Sequence, residues 1–282
     1  MQPVRDGEYT STIYGMIRDA KMYDAIRLLQ YELARQPTNR PALSLLGYCY
    51  YYTQDYANAA ECYDQLSQLF PNSTEYKIYH AQSLFSANMF PEAIAVVSQV
   101  DDPKYLNDMI KLEAAIKYRE DDIRNARILV EQYAEDDPDI EVNLACLEYK
   151  EGNYDKALER FYNASNVHGY KPQLAYAIAL CHYRKKEFNQ SLRFIAEIVD
   201  HGIKEHPELS VGAMTEGLEV RSVGNTLLLH ETALIEALNL KFAIDYSVKN
   251  VAKAAEALTD MPPRGEDELD VVTLHNQASD IH

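Results

Sequence analysis

The chain has 282 residues, 47% of them hydrophobic, with only ten glycines and a formal net charge of −17. That balance argues against disorder over most of the length and supplies enough apolar surface for a continuous core. It also argues against binding to nucleic acid or to an anionic membrane surface, whose phosphates call for clustered Lys and Arg. No stretch approaches the roughly 20 apolar residues of a membrane span, so no membrane insertion is expected. Cys49, Cys62, Cys146 and Cys181 form no Cys-x-x-Cys pair and sit among apolar residues, as buried reduced thiols of a soluble, intracellular protein would.

In chain order, residues 1–8 are polar and expected to be flexible. A first helical hairpin is expected over 9–36, with Ile13, Ile17, Ala25, Ile26 and Leu29 at helical spacing and Pro37 closing it. The second, from Pro41 to Pro71, is the template for the rest. Gly47 and Ala59 are small enough to let its two helices approach closely, Tyr56 and Tyr63 fill the space between them, and Pro71 stops the second helix. Its offsets are those of the tetratricopeptide pattern of about 34 residues, with Leu43 where that pattern usually has Trp. Hairpins three to six follow to residue 201. An inserted loop, 202–224, with Gly202, Pro207, Gly212, Gly217 and Gly224, then breaks the period, and a loop of this length inside an array is usually functional or architectural. Residues 225–263 are expected to hold one unusually long helix, Asn225 to Asn250, and the end of hairpin seven. Over 264–282 a helix from Asp267 begins an eighth unit without its second helix, leaving Val271 and Leu274 on an apolar edge that is expected to self-associate.

Recurrence supports this division. A bulky residue three before a small one opens the second helix of each hairpin: Met22/Ala25, Tyr56/Ala59, Phe90/Ala93, Ile123/Ala126, Tyr154/Ala157, Phe188/Ser191 and Val251/Ala254. Successive small residues lie 34, 34, 33, 31, 34 and 63 apart, and twelve residues before five of them stand Gly47, Ala81, Ala114, Ala145 and Ala179. The fold class is therefore all-α, a tetratricopeptide right-handed superhelix of about seven helix hairpins.

No chemistry-bearing motif accompanies the repeats. His201 and His206 lack a third ligand nearby, Ser222-Val223-Gly224-Asn225-Thr226 is neither a nucleophile elbow nor a phosphate loop, and carboxylate pairs such as Asp121-Asp122 fall in turns. No enzyme activity, metal or cofactor is expected.

The informative residues lie on the first helix of each hairpin. With the small residue (Gly47 in hairpin two) as position 8, tetratricopeptide proteins resemble one another in lining a concave groove with positions 2, 5, 9, 12 and 13. Position 12 is Ile17, Tyr51, Phe85, Tyr118, Tyr149, Tyr183 and Tyr246. Position 13 includes Arg18, Tyr52, Arg119, Lys150 and Arg184, and position 9 of hairpin two is Tyr48. Spaced aromatic rings suit a proline-rich segment, whose extended helix is already ordered, and neighbouring cations add carboxylate pairing and cation–π contacts. The competing reading of the rings is packing within the hairpin, favoured where position 11 is polar, as in Lys117, Glu148 and His182. A competing function is a chaperone-type adaptor clamping a short acidic C-terminal peptide with two or three adjacent basic residues.

The resemblance narrows further in several segments. Leu43-Ser44-Leu45-Leu46-Gly47-Tyr48-Cys49-Tyr50-Tyr51, Ala114-Ala115-Ile116-Lys117-Tyr118 and Tyr149-Lys150-Glu151-Gly152 are similar to the tetratricopeptide repeat protein 30, or intraflagellar transport 70, family. So are Glu205-His206-Pro207-Glu208-Leu209, Val220-Arg221-Ser222-Val223-Gly224-Asn225-Thr226 and Leu258-Thr259-Asp260-Met261-Pro262-Pro263-Arg264, which the repeat consensus does not dictate. The resemblance implies a scaffold of the intraflagellar transport B core in the cilium and cytoplasm, at the ciliary base and axoneme, needed for cilium assembly and linked to tubulin polyglutamylation. It also implies, as partner, the proline-rich region of intraflagellar transport protein 52. Family members run to more than twice this length.

Overall fold

A computed structural model of the chain describes residues 8–133, 137–212 and 222–280. The expected flexible start therefore lies outside the described residues except for Glu8, as does the part of the insertion from 213 to 221. The fold is the all-helical tetratricopeptide architecture, in two compact units divided at residue 134.

The first unit holds α1 (Tyr9–Arg18), α2 (Met22–Arg35), α3 (Arg40–Tyr52), α4 (Tyr56–Leu69), α5 (Thr74–Ser86), α6 (Phe90–Val97), α7 (Leu106–Arg119) and α8 (Ile123–Val130). The second holds α9 (Ile140–Lys150), α10 (Tyr154–His168), α11 (Pro172–Arg184), α12 (Phe188–Glu205), α13 (Leu227–Glu231), α14 (Leu234–Ser247), α15 (Val251–Thr259) and α16 (Val271–Asp280). Within each unit consecutive helices pack side by side, so each hairpin covers the apolar faces of its neighbours.

The small residues that set the period are the points of closest approach. Ala25, Ala59, Ala93, Ala126, Ala157, Ser191 and Ala254 are all buried. Ser191, the one polar member, donates its hydroxyl to the Ala179 carbonyl at 2.8 Å, the small residue twelve positions upstream, so its burial leaves no unpaired group. Gly47 meets the Tyr63 ring so closely that a Cβ there would stand 2.9 Å from it.

Each hairpin turns through one residue in the left-handed region, five positions before the small residue: Ala20, Gln54, Asn88, Asp121, Gly152, Lys186 and Lys249. The next N–H reaches back five residues, as from Asp55 to the Tyr50 carbonyl and from Glu187 to the His182 carbonyl, which closes the first helix and starts the second. Gly152 alone among these seven adopts the conformation without a Cβ penalty. Lys186→Gly is therefore expected to raise stability by about 0.5 kcal/mol, because relief of the left-handed penalty exceeds the added freedom of the unfolded chain. A higher urea midpoint at unchanged slope is the check.

The structure corrects the sequence in the second unit. The last helix of hairpin six does not stop at His201 but runs on to Glu205, and Gly202 lies inside it, against Leu234. The single long helix expected from Asn225 to Asn250 is two helices. Ala233, at φ 54, breaks it between α13 and α14, and burial of Leu229, Leu234 and Ile235 in one core drives the bend. The insertion is anchored at both described ends: Leu209 is buried in that core, the Gly212 N–H donates to the Asp260 carbonyl and the Val223 N–H to the Pro263 carbonyl, both at 2.9 Å. The last helix begins at Val271 instead of Asp267, after a 3-10 turn over Glu266–Glu268, and it packs on α14 and α15 through buried Thr273 and Asn276. Val271 and Leu274 are 81% and 42% exposed, as the apolar edge requires.

All four cysteines are free thiols. Burial pushes Cys49 and Cys146 up to about 11 and Cys62 and Cys181 up to about 12, which keeps them protonated and inert at neutral pH. Among the described residues no helix is long and apolar enough to cross a membrane.

Candidate peptide-binding face

Position 12 is the last turn of a first helix, and its ring reaches five residues on, to the residue that opens the second helix. Tyr51 meets Tyr56 edge-on at 5.1 Å between centroids, Phe85 meets Phe90 at 6.0 Å, Tyr149 meets Tyr154 at 5.5 Å and Tyr183 meets Phe188 at 6.0 Å. These rings, together with Tyr118, are half-buried. Burial raises the Tyr149 phenol above its ordinary value, with Arg184 partly opposing it. The rings of Tyr51, Phe85, Tyr149 and Tyr183 thus brace the hairpin corner and stay partly exposed.

The polar residues at position 11 reach the same corner from the buried side. His182 Nδ1 lies 2.7 Å from Glu187 Oε2, its Nε2 lies 3.0 Å from the Tyr162 hydroxyl, and Asn153 Nδ2 donates to Glu148 Oε2 at 2.9 Å. Lys117 instead pairs with Glu120 at 2.9 Å. Hydrogen bonds from Lys185 and His182 hold the Glu187 carboxyl below the usual carboxylate range.

Position 13 touches the corner of the preceding hairpin. Ser86 Oγ lies 3.2 Å from the Tyr51 hydroxyl. Arg119 donates to Asn88 Oδ1, and its guanidinium lies 5.9 Å from the Phe85 ring and 5.8 Å from Phe90. Arg184 donates to the Tyr154 hydroxyl at 3.0 Å and lies 5.6 Å from its ring. Arg18 pairs with Asp19 at 3.3 Å, and Lys150 is exposed. Arg119 and Arg184 are thus each held beside an aromatic corner of the preceding hairpin, and Arg18 beside a carboxylate.

Tyr48 and Tyr246 are the more exposed rings of the site. Tyr48 and Tyr52 stack one helical turn apart at 6.2 Å, with Tyr48 45% exposed. Tyr246 stacks on Phe242 at 5.6 Å and is 47% exposed. Near the first of these, Tyr9, Tyr14, Pro41, Ser44 and Leu45 line a cavity of about 200 Å³ between α1, α2 and α3. His201 and His206 do not form a joint site: His201 stacks on Tyr170 at 3.8 Å and faces Glu205, while His206 faces Glu208.

A tetratricopeptide repeat family model matches residues 41–73, the template hairpin. The chain is 58% identical over 275 residues to Intraflagellar transport protein 70A of Danio rerio, an alignment covering 98% of this chain and 42% of that protein. The chain belongs to the intraflagellar transport 70 family. A second family member, the Tetratricopeptide repeat protein 30 homolog of Caenorhabditis elegans, is 55% identical over 278 residues, or 99% of this chain and 42% of its own length. The chain thus spans about two fifths of the length of these relatives. Two solved structures share the fold alone. A tetratricopeptide repeat protein from Parabacteroides merdae has a TM-score of 0.64 at 11% identity, covering 98% of both chains, and the type IV pilus biogenesis factor PilW has 0.53 at 15%, covering 70% of this chain and 93% of its own.

Sequence reasoning found the rings and the cations but missed their partners. Ser86, Asn88 and Tyr154 each belong to a recurrent contact between neighbouring hairpins, and comparing positions 13 and 12 across successive repeats would have shown it. A second group surrounds a cavity in the second unit: Tyr176, Glu236 and Asn239, at repeat positions 5, 2 and 5 of their hairpins, with His230 and Asn276 from outside those positions.

Proposed function

We propose that this chain is a non-catalytic scaffold of the intraflagellar transport machinery, acting in the cilium, and that the open faces of its first helices hold an extended, proline-rich segment of a partner subunit. The single observation that carries the assignment to this machinery is the identity, above 50% over nearly the whole chain, to proteins named for intraflagellar transport. The partly exposed aromatic corners, with the exposed rings of Tyr48 and Tyr246, support the ligand class, because a polyproline helix presents ring faces at regular spacing and loses little entropy on docking. The partner is the proline-rich region of intraflagellar transport protein 52 within the B core. Membership of that core ties the chain to cilium assembly at the ciliary base and axoneme and to axonemal tubulin polyglutamylation. The chaperone-type clamp is disfavoured by Arg119 and Arg184, each engaged with a neighbouring hairpin.

A pull-down from ciliated-cell extract with the purified 282-residue chain, read by mass spectrometry, tests the assignment. Recovery of B-core subunits is the expected result. Recovery of chaperones with no transport subunit would overturn it in favour of the adaptor.

A further inference from the structure

In the first unit, α1, α2 and α3 enclose a cavity of about 200 Å³, smaller than the roughly 300–1,000 Å³ of sites that take whole small molecules. It suits one side chain. Its floor is apolar, with Ile13, Leu29 and Ala42 all buried. Tyr9 and Tyr14 of α1 line it beside Pro41 and Leu45 of α3, and Tyr14 is 57% exposed. Thr10 and Tyr14 stand at positions 5 and 9 of hairpin one, and Pro41 and Ser44 at positions 2 and 5 of hairpin two, so the cavity lies on the face assigned to ligand. Of the described residues that line it only Glu32 is charged, and among the described residues its carboxylate has no hydrogen-bond or ion-pair partner. Glu32 is partly exposed. Burial, then the Glu32 charge, raises the Tyr9 phenol above its ordinary value, which sets that carboxylate beside an aromatic wall of the cavity. Arg35, which opposes the shift, does not line the cavity.

We propose that this cavity takes a proline ring of the bound segment and that Glu32 pairs with a lysine or arginine flanking that proline. The proposal rests on the reading of the first-helix faces as peptide-binding, and it adds a residue type the segment must carry at hairpins one and two. A proline ring is compact, brings no unpaired N–H into an apolar pocket and packs against tyrosine faces. The extended helix it belongs to has no internal hydrogen bonds, so its carbonyls are free to accept from the hydroxyls of Thr10, Tyr14 and Ser44. That helix has about three residues per turn, so when one proline fills the cavity its neighbours point elsewhere, toward the rim. A long cationic side chain there reaches a partly exposed carboxylate and keeps its charged head in water. The net charge of −17 attracts any cationic peptide over the whole surface, whereas Glu32 attracts it at one place.

The test compares a proline hexamer flanked at both ends by arginine with one flanked at both ends by glutamine, each acetylated and amidated, so that the direction of binding does not matter. Binding is read at fixed ionic strength by calorimetry and by the methyl resonances of Ile13 and Leu45. On wild type the arginine peptide is expected to bind about two- to fivefold more tightly than the glutamine peptide, the range of an exposed ion pair. Both should move the Ile13 and Leu45 resonances. Tyr14→Ala should weaken both peptides about tenfold, as loss of an aromatic anchor does. Glu32→Gln should leave the glutamine peptide unchanged and remove the arginine preference. A preference that survives Glu32→Gln is general attraction to an acidic chain and overturns the pairing. Cavity resonances unmoved by either peptide overturn the pocket, a result that needs no variant to fold. Tyr246→Ala, in the second unit, separates the two readings. If it weakens binding while Tyr14→Ala and the cavity resonances do not respond, the cavity fails and the peptide-binding face stands. If Tyr14→Ala and the cavity resonances respond and Tyr246→Ala has no effect, the cavity stands without the wider face. Failure of both peptides to bind wild type overturns both.

Discussion

Gly202→Val is expected to destabilise the second unit by about 2 to 3 kcal/mol, the cost of forcing a side chain into a filled core. A Cβ at Gly202 would stand 2.7 Å from one methyl of Leu234 and 2.8 Å from the other, and Leu234 is fully buried. Leu234→Ala alone is expected to cost about 3 kcal/mol through the cavity it leaves. In the double variant the valine occupies part of that cavity, so its cost should fall short of the sum by at least about 1 kcal/mol. Native-state hydrogen exchange of the α14 amides measures all three on the unit concerned. Strict additivity would mean that α12 and α14 do not meet at Gly202. The result bears on the insertion as well, because direct stacking of α12 on α14 keeps the hairpin array continuous across it.

The second large effect separates two kinds of aromatic residue on the candidate face. Phe85→Ala is expected to cost about 2 to 3 kcal/mol, because Phe85 packs on Phe90 and into the core that holds Leu84, Val97 and Ile116, and its loss also removes the ring beside Arg119. Alanine at Tyr51, Tyr149 or Tyr183 should likewise weaken folding and ligand binding together, since each ring braces a hairpin corner. Tyr48→Ala and Tyr246→Ala should leave stability within about 0.5 kcal/mol, as surface substitutions do, and lower ligand affinity about tenfold or more, as loss of an aromatic anchor does. Urea unfolding of each variant beside its binding isotherm makes the comparison. Equal effects of the two groups on stability would contradict the division.

The period was legible in the sequence because close helix approach demands small residues at fixed points: the seven that define it are all buried. The turns were less legible. Their left-handed residues are alanine, glutamine, asparagine, aspartate, lysine and a single glycine, so the usual glycine signal is absent in six of seven and only the shared register betrays them. The break at Ala233 was invisible for a related reason, since an alanine between leucine-rich stretches reads as helix, and it is burial of both flanking segments that bends the chain there. At the candidate site, repeat position identified the aromatic and basic residues but not which side of each ring is occupied, because the ring's neighbours come from the following turn and the following hairpin. The cavity around Glu236 was only partly within reach of pattern reasoning, which places Tyr176, Glu236 and Asn239 at groove positions of the repeat. It is assembled from α11, α14, α16 and the end of α13, and only packing brings His230 and Asn276 to it.

Isothermal titration of the 282-residue chain with a synthetic peptide spanning the proline-rich region of intraflagellar transport protein 52, with the Tyr48→Ala and Tyr246→Ala variants in parallel, is the decisive test of a proline-rich segment on the first-helix faces. Saturable binding by wild type is expected, with about a tenfold or greater loss in each variant at unchanged stability. Binding that is absent in wild type, or equally strong in all three proteins, would contradict it.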